Sequence, residues 1–320
     1  MSGERAALLG GAEARTQTET PPHPEREVET ENMKMNMKSA AIVLTLVLTV
    51  LISSAVVQAQ LYFCATSGDW DDTTKWFTAA GCNTGDEANA FPTADDDVII
   101  ESGAQVNVNI SNPDAFCRTL TVENTGDDGV VNIQEGRELE IRPDDTDLVS
   151  TIDGTIYLAD VNAELRFGIG SGAPLNPLHT VTGSGEIVGQ HDNSRLGFAR
   201  GAKFDLEVDV RGHLEINDTG QPGQPFTFTN KATIHADTTG TLKIRLAMGD
   251  TTAGLYKVSH SGATLEFTSG QTDLKGDFEV SAGRLDFYGD VNTTGTLTQT
   301  GGTIFVQRIL TVIFSDDPPP

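Results

Sequence analysis

The feature of this chain that most constrains its fold is a short motif, a glycine followed by alternating apolar residues, that recurs along its last two-thirds. Each copy predicts a turn followed by a short strand that buries one face. Strands this short cannot form a core alone, so they have to stack on copies of themselves. The recurrence therefore predicts a solenoid. The copies occupy residues 136–141, 154–158, 212–216, 240–244, 262–267, 283–287 and 302–306.

The spacing of the copies indicates the kind of solenoid. Leu265, Leu285 and Ile304 follow one another at 20 and 19 residues, which suits one coil of a three-sided parallel β-helix. Earlier copies are more widely spaced, which predicts loop insertions in some coils. A β-sandwich is the alternative, because short alternating strands with frequent turns also suit it. The regular glycines and the scarcity of Asn-Gly and Asp-Gly hairpin pairs favour the solenoid. We predict an all-β, right-handed parallel β-helix over residues 111–314.

Residues 33–59 have the features of an export signal. Lys34 and Lys38 precede an apolar run over 40–57, and small residues at its end offer a cleavage site. An uncleaved membrane anchor is the alternative, although the run is at the short end of the roughly 20 residues that a spanning helix needs. We therefore predict an extracellular or cell-surface protein.

The two ends of the chain are polar and contain proline. Residues 1–32 are interpreted either as a disordered extension or as the product of a mis-assigned start, because a signal normally begins at the N-terminus. Residues 315–320 are interpreted as a tail.

Residues 60–110 differ from the repeats that follow, since they hold both tryptophans, Trp70 and Trp76. The first coil of a solenoid would otherwise expose its core and its strand edges. We therefore predict an N-terminal cap in this segment, in which the tryptophans pack in the core instead of forming a platform for sugar rings.

The three cysteines all lie in the first part of the exported chain. In an oxidising compartment Cys64 and Cys82 can close the loop between them, and this is the disulfide that we predict. Cys117 is then left as a buried residue or a free thiol, while pairings that involve Cys117 stay open at this stage.

The charge of the chain restricts its partners. It has 46 acidic against 21 basic residues and a formal net charge of −25. Such a surface repels nucleic acid and anionic membranes, so we expect neither as a partner. Solubility outside the cell explains the acidity without any ligand.

Residues 67–76, 91–100, 103–108 and 117–122 carry a family resemblance. They combine a tryptophan pair, a proline, aspartates before a Val/Ile strand and a glycine before an alternating strand. This pattern resembles the start of bacterial secreted and cell-surface parallel β-helix repeat proteins and is similar to the eight-glycine domain. The resemblance implies a β-helix and an extracellular location. It implies no catalytic residues, because such modules occur in adhesins, structural proteins and carbohydrate-active enzymes alike.

Local roles are expected for three residues of this stretch. Pro92 would fix the chain as it enters the first strand, and Asp97 would cap or anchor the turn before that strand. Gly103 would permit a tight corner before the next strand.

No catalytic or cofactor-binding residues are predicted. Acidic clusters are conceivable calcium sites, but none has the spacing of a known calcium loop. The six histidines are scattered, and no pair has the spacing of zinc ligands. The polar segment 191–193 is interpreted as a loop. The clusters are Asp69/Asp71/Asp72, Asp95/Asp96/Asp97, Asp127/Asp128 and Asp144/Asp145/Asp147.

The sequence favours a non-catalytic structural or adhesive module at the cell surface, with a polysaccharide or cell-surface glycan as the expected partner. The alternative is a polysaccharide-degrading β-helix enzyme or a fragment of one. Its catalytic carboxylates would come from neighbouring coils, so their sequence spacing would not reveal them. Clustering of arginines, histidines and carboxylates over adjacent coils of one sheet would favour the enzyme.

Overall fold

Strands and turns make up the part of the chain that the computed structural model describes, namely residues 59–110, 115–142, 148–168, 178–199, 203–219, 227–246, 254–268, 271–274 and 276–312. These residues belong to one structural unit, Gln58–Pro320. The predicted extension 1–32, the tail 315–320 and, apart from Ala59, the predicted export signal lie outside the described residues. Within the described ranges, the chain contains no apolar helix of membrane-spanning length.

The strands are short, except for two long ones near the middle of the chain. In chain order they are β1 (Gln60–Phe63), β2 (Gly68–Asp69), β3 (Trp76–Phe77), β4 (Asp97–Ile100), β5 (Gln105–Val108), β6 (Ala115–Cys117), β7 (Thr119–Val122), β8 (Val130–Ile133), β9 (Glu138–Ile141), β10 (Leu148–Ile152), β11 (Thr155–Leu158), β12 (Glu164–Phe167), β13 (Leu178–Thr182), β14 (Glu186–Ala199), β15 (Lys203–Leu206), β16 (Asp209–Thr219), β17 (Thr227–Asn230), β18 (Thr233–Ala236), β19 (Gly240–Ile244), β20 (Leu255–Val258), β21 (Ala263–Phe267), β22 (Gln271–Leu274), β23 (Asp277–Val280), β24 (Arg284–Phe287), β25 (Val291–Thr293), β26 (Leu297–Gln299), β27 (Thr303–Val306) and β28 (Leu310–Val312).

The strands form three rows, which the chain visits in turn. Face 1 is an eight-stranded sheet in the order β3-β1-β4-β7-β10-β13-β15-β17, and β22, β25 and β28 form a separate three-stranded sheet. Face 2 contains β2, β5, β8, β11, β18, β20, β23 and β26, and face 3 contains β6, β9, β12, β19, β21, β24 and β27. The long strands β14 and β16 contribute their first halves to face 2 and their second halves to face 3, so these two strands join both faces into one continuous sheet.

Parallel pairing between coils confirms the predicted all-β architecture of stacked strands. Leu265 pairs with Leu285, and Leu285 pairs with Ile304, as the 20- and 19-residue spacing predicted. Among the described strand pairs, β1 with β3 is the antiparallel exception. A β-sandwich is built from antiparallel sheets, so that alternative was wrong.

The core lies between the three faces and consists of apolar side chains that stack from coil to coil. Every second residue of a strand points inward, which gives the alternating burial seen, for example, in β5 and β8. One inward column of face 2 is representative. It comprises Val106, Val131, Ile156, Ile187, Val210, Ile234, Tyr256 and Phe278.

Four phenylalanines form an aromatic cluster in the middle of this core. Phe198 lies at its centre, with ring-centroid distances of 5.5 Å to Phe167, 5.1 Å to Phe204 and 4.7 Å to Phe228. All four side chains are almost completely buried. Because Phe167 and Phe198 come from face 3 whereas Phe204 and Phe228 come from face 1, the cluster ties the two faces together.

The N-terminal end of the solenoid is covered by the chain between β2 and β4. Trp70 and Trp76 are completely buried, and their rings meet edge to face at 5.1 Å. The Trp76 indole Nε1–H donates to the Trp70 carbonyl oxygen at 2.8 Å. Strand β3 pairs with the otherwise open edge of β1. This segment therefore buries the first coil and occupies its free strand edge.

A disulfide joins Cys64 to Cys82, as the sequence predicted, with the two Cα atoms 6.0 Å apart. Cys117 is a free, completely buried cysteine on face 3. Burial is the main cause that raises the pKa of the Cys117 thiol far above its usual range, so this thiol is unreactive.

Glycines at the corner between face 1 and face 2 stack without room for side chains. A Cβ atom at Gly154 would overlap the carbonyl oxygen of Gly129 and lie 3.0 Å from that of Glu123. We expect Gly154→Ala to lower the free energy of unfolding by about 1–3 kcal/mol, since backbone has to move to admit the methyl group. Gly126→Ala is the matched control, because a Cβ atom there meets nothing within 4 Å. Equal stability of the two variants in urea unfolding would contradict the stacking.

Candidate functional site

A row of charged side chains runs along the outward side of face 3. Adjacent parallel strands lie about 4.8 Å apart, so residues in register become close neighbours. Glu138 lies beside Glu164, and Glu164 lies beside Arg195. The row then continues through strands that come from later coils. Its further members, in order, are Glu215, Lys243, Glu266 and Asp286.

The densest part of this face is a group of six residues that we name the face-3 ladder. It contains three carboxylates and three guanidinium groups, on β9, β12 and β14 and just after β9. Two of its in-register pairs combine opposite charges, whereas Glu138 and Glu164 form a pair of like charge. Such in-register opposite charges stabilise a sheet, whereas like charges placed directly opposite each other destabilise it. The ladder consists of Glu138, Glu140, Arg142, Glu164, Arg166 and Arg195.

Arg166 is the central cation of the face-3 ladder. Its Nη1 lies 3.4 Å from Oε1 of Glu138, and its Nε lies 3.8 Å from Oε1 of Glu140. Arg142 donates to the other oxygen of Glu140 at 2.6 Å. Glu140 is only 4% exposed although it points away from the core, because these two arginines cover it. The ladder is therefore a preorganised hydrogen-bonding surface and not a set of mobile side chains.

Glu164 is the carboxylate of the ladder with a perturbed proton affinity. Burial is the main cause that raises its pKa above the usual range, and the neighbouring charge of Glu138 raises it further. Arg195 and Arg166 act in the opposite direction. Arg195 Nη1 lies 3.9 Å from Glu164 Oε2, a looser contact than the Arg142–Glu140 bond.

Gly197 is a buried residue that packs beside Glu164. It takes the outward position next to Arg166 on the neighbouring strand. A Cβ atom there would lie 3.0 Å from Glu164 Oε1. The carboxylate of Glu164 and the side chain of Thr219 therefore cover the sheet backbone at this glycine.

Aromatic rings lie at both ends of face 3. The guanidinium carbon of Arg142 lies 4.2 Å from the centroid of Phe116. At the other end, the guanidinium carbon of Arg284 lies 4.8 Å from the centroid of Phe305, which is 39% exposed. These pairs have the geometry of cation–π contacts.

A second polar group, which we name the corner cluster, consists of His191, Asp192 and His213. Asp192 Oδ1 lies 2.9 Å from Nδ1 of His213 and accepts the backbone N–H of Thr241 at 2.8 Å. The interpretation of 191–193 as a loop was wrong. These residues lie inside β14, where the register with β16 shifts between Gln190 and Arg195, so the strand bends continuously from face 2 to face 3.

The outward side of face 2 has its own ion pairs. Arg211 makes two hydrogen bonds to the carboxylate of Glu186, and its Nη1 lies 3.4 Å from Asp237. His235 Nε2 lies 2.7 Å from the Ser259 hydroxyl. Arg211 and His235 are in-register neighbours on adjacent strands, so face 2 also carries a row of charged and polar groups.

The residues for which local roles were expected lie near the capped end. Pro92 is buried, and Gly103 has a φ of 75°, in the left-handed region. Asp97 bonds to the next coil, where it accepts two hydrogen bonds from the Arg118 guanidinium and one from the Thr119 hydroxyl. Asp97 thus links β4 to the beginning of β7.

The acidic clusters named as conceivable calcium sites use several of their oxygens locally. Asp72 accepts hydrogen bonds from Thr74, which lower its pKa, and Asp96 accepts two from Thr93. The cluster at 144–147 lies outside the described residues. Within the described ranges, the one group of three acidic, histidine or cysteine side chains with converging ligand atoms is Cys64, Cys82 and Glu101.

Comparisons with protein-family models, curated proteins and solved structures found no match. The resemblance to β-helix repeat proteins and to the eight-glycine domain therefore stays a prediction.

Proposed function

We propose that this chain is a non-catalytic, extracellular or cell-surface β-helix module that binds polysaccharide along face 3. The observation that carries the proposal is the face-3 ladder, an ordered array of guanidinium and carboxylate groups on one flat sheet. We also propose a right-handed coil, because connections between parallel strands of one sheet are right-handed in nearly all proteins.

The chemistry of face 3 suits sugar hydroxyl groups. Guanidinium N–H groups donate and carboxylate oxygens accept, so the ladder offers both partners that a hydroxyl needs. Phe116 and Phe305 lie at the two ends of the face, each with a guanidinium group over its ring. The formal net charge of −25 opposes polyanionic chains. The expected ligand is therefore an uncharged or cationic polysaccharide.

An extracellular location is supported by two features outside face 3. The disulfide between Cys64 and Cys82 is of the kind that persists in oxidising compartments. The features of residues 33–59 predict export. Together they favour secretion or cell-surface display.

The pairing of charges supports binding over catalysis. Glu138 and Glu140 share Arg166, and Glu140 also bonds to Arg142. A general base has to be available to a substrate proton, whereas these carboxylates are engaged by neighbouring arginines.

A polysaccharide hydrolase is the second candidate, and two observations favour it. The face-3 ladder is a cluster of arginines and carboxylates over adjacent coils of one sheet, the arrangement expected of an enzyme. Glu138 and Glu164 are in-register neighbours on adjacent strands ~4.8 Å apart. Retaining glycosidases hold their two carboxyl groups ~5 Å apart. The raised pKa of Glu164 suits a general acid, and Glu138 would be the second carboxylate. In this case Glu164→Gln would abolish release of new chain ends.

The test is to incubate the purified chain with a panel of uncharged, cationic and anionic polysaccharides, with and without calcium, and to score retention and new reducing ends together. Retention of uncharged or cationic chains without new ends is the expected result. New ends that depend on Glu164 would establish the hydrolase instead. Retention of anionic chains alone, or of none, would contradict the proposal.

A further inference from the structure

The cap region brings together three side chains that can bind a metal ion. The Sγ atoms of Cys64 and Cys82 and a carboxylate oxygen of Glu101 all lie within 4.8 Å of one another. Cys64 follows β1 and Glu101 follows β4, and these strands pair in parallel up to Phe63 and Ile100. Register therefore places Cys64 and Glu101 side by side at the end of two adjacent strands.

The third member of the group, Cys82, lies in the loop between β3 and β4. The carboxylate of Glu101 holds this loop in place. Glu101 Oε1 accepts the backbone N–H of Gly81 at 2.6 Å, immediately before Cys82. Cys82 has a φ of 46°, in the left-handed region that residues other than glycine rarely adopt. The loop is thus fixed by Glu101 in a conformation that directs Cys82 toward Cys64, besides being fixed by the disulfide.

We propose that reduction of the Cys64–Cys82 disulfide converts this part of the cap into a Zn²⁺ site, with the two thiolates and the Glu101 carboxylate as ligands. Zinc in proteins is bound tetrahedrally by cysteine sulfur and by carboxylate oxygen. Three protein ligands leave the fourth position for a solvent molecule. The 6.0 Å between the two Cα atoms already holds the sulfurs close enough to share one ion.

The reaction balances with a dithiol as reductant. The dithiol gives two electrons and two protons to the disulfide and becomes a disulfide itself, while the S–S bond of the protein breaks and two thiols form. Zn²⁺ then displaces both thiol protons to solvent and forms two Zn–S bonds and one Zn–O bond. In an oxidising compartment the disulfide persists, so the metal form belongs to reducing conditions, such as those that an exported chain meets before export.

The three side chains of the group are accessible from solvent. Cys64, Cys82 and Glu101 are all partly exposed, so a reductant and a hydrated ion can reach them. Cys117 is completely buried on face 3 and serves as an internal control, because its thiol is out of reach of both.

Cobalt binding by the reduced full-length chain tests the proposal. The chain is reduced with a dithiol, the dithiol is removed by anaerobic gel filtration, and Co²⁺ is added as a spectroscopic probe. We expect one Co²⁺ per chain, with thiolate-to-cobalt charge-transfer absorption that Zn²⁺ abolishes by displacement. The unreduced chain and Cys64→Ser are expected to lack this absorption, and Cys117→Ala is expected to retain it.

The variant Glu101→Gln distinguishes two explanations of metal binding. In one, the folded cap binds the ion with Glu101 as a ligand, and in the other, two thiols bind it in an unfolded segment. Loss of even an indirect partner weakens metal binding by about 10- to 100-fold. We therefore expect at least a ~10-fold weaker Co²⁺ affinity for Glu101→Gln. Equal affinity of this variant and the parent chain, or absence of charge-transfer absorption in the reduced parent chain, would overturn the proposal.

Discussion

Replacing Phe198 by alanine is expected to lower the free energy of unfolding by about 3–5 kcal/mol, the largest loss that we expect from any single substitution considered for this chain. The Phe198 side chain is completely buried and contacts the rings of Phe167, Phe204 and Phe228. Its removal leaves a cavity between faces 1 and 3 that the stacked strands cannot close, because each strand is held in register by neighbours on both sides.

Urea unfolding followed by far-ultraviolet circular dichroism measures this loss. Ile309→Ala is the control, since it removes an apolar side chain that is 61% exposed, and a change within about 0.5 kcal/mol is expected for it. Similar losses for the two variants would mean that Phe198 does not lie at the centre of the core.

Acid is expected to destabilise the fold through His179. This side chain is 3% exposed and lies against the ring of Phe204 at 5.0 Å. Burial lowers the pKa of His179 from 6.5 to about 4, so the folded protein holds it neutral. The unfolded chain binds the proton more readily, so this contribution to stability is fully present above pH 6.5 and is lost as the pH falls toward 4. The loss amounts to about 3 kcal/mol.

His179→Leu tests the assignment, because leucine has a similar volume and no proton to bind. We expect the difference in stability between pH 7 and pH 4 to shrink by about 3 kcal/mol in this variant. The exposed His260→Gln is the control and should retain the pH dependence of the parent chain. Burial also lowers the pKa of His235, so some acid sensitivity should remain in His179→Leu. An unchanged pH profile for His179→Leu would contradict a neutral, buried His179.

The fold was predictable from sequence because its determinants are local. The glycine before each strand and the alternation within it identify a coil without knowledge of its neighbours, and the pairing of Leu265, Leu285 and Ile304 followed from their spacing. Of the three pairings that three cysteines allow, the sequence favoured Cys64 with Cys82, and the structure contains this disulfide. The bent strand β14 was missed, because the polar residues at 191–193 look like a loop when the strand is read alone.

The candidate site was not predictable because its residues meet only through the stacking of coils. Arg166 and Glu138 are 28 residues apart, whereas Asp192 and Thr241 are 49 apart. Coil length varies along the chain, so no fixed spacing links the partners. On each strand alone, an outward glutamate or arginine is indistinguishable from an ordinary solvated residue. A sequence search at the register offsets of neighbouring coils, had these offsets been known, would have found the neighbouring charged residues.

The central claim, that face 3 binds polysaccharide, is tested most directly by comparing two arginines in affinity electrophoresis with the polysaccharide that the panel retains best. Arg166 on face 3 and Arg211 on face 2 have similar side-chain exposure, 33% and 37%, and both pair with glutamates. We expect Arg166→Ala to weaken binding by roughly 10-fold or more, the effect of losing a hydrogen bond to a charged group, and Arg211→Ala to leave it within about 2-fold. Equal binding by the two variants, or a loss confined to Arg211→Ala, would contradict the account.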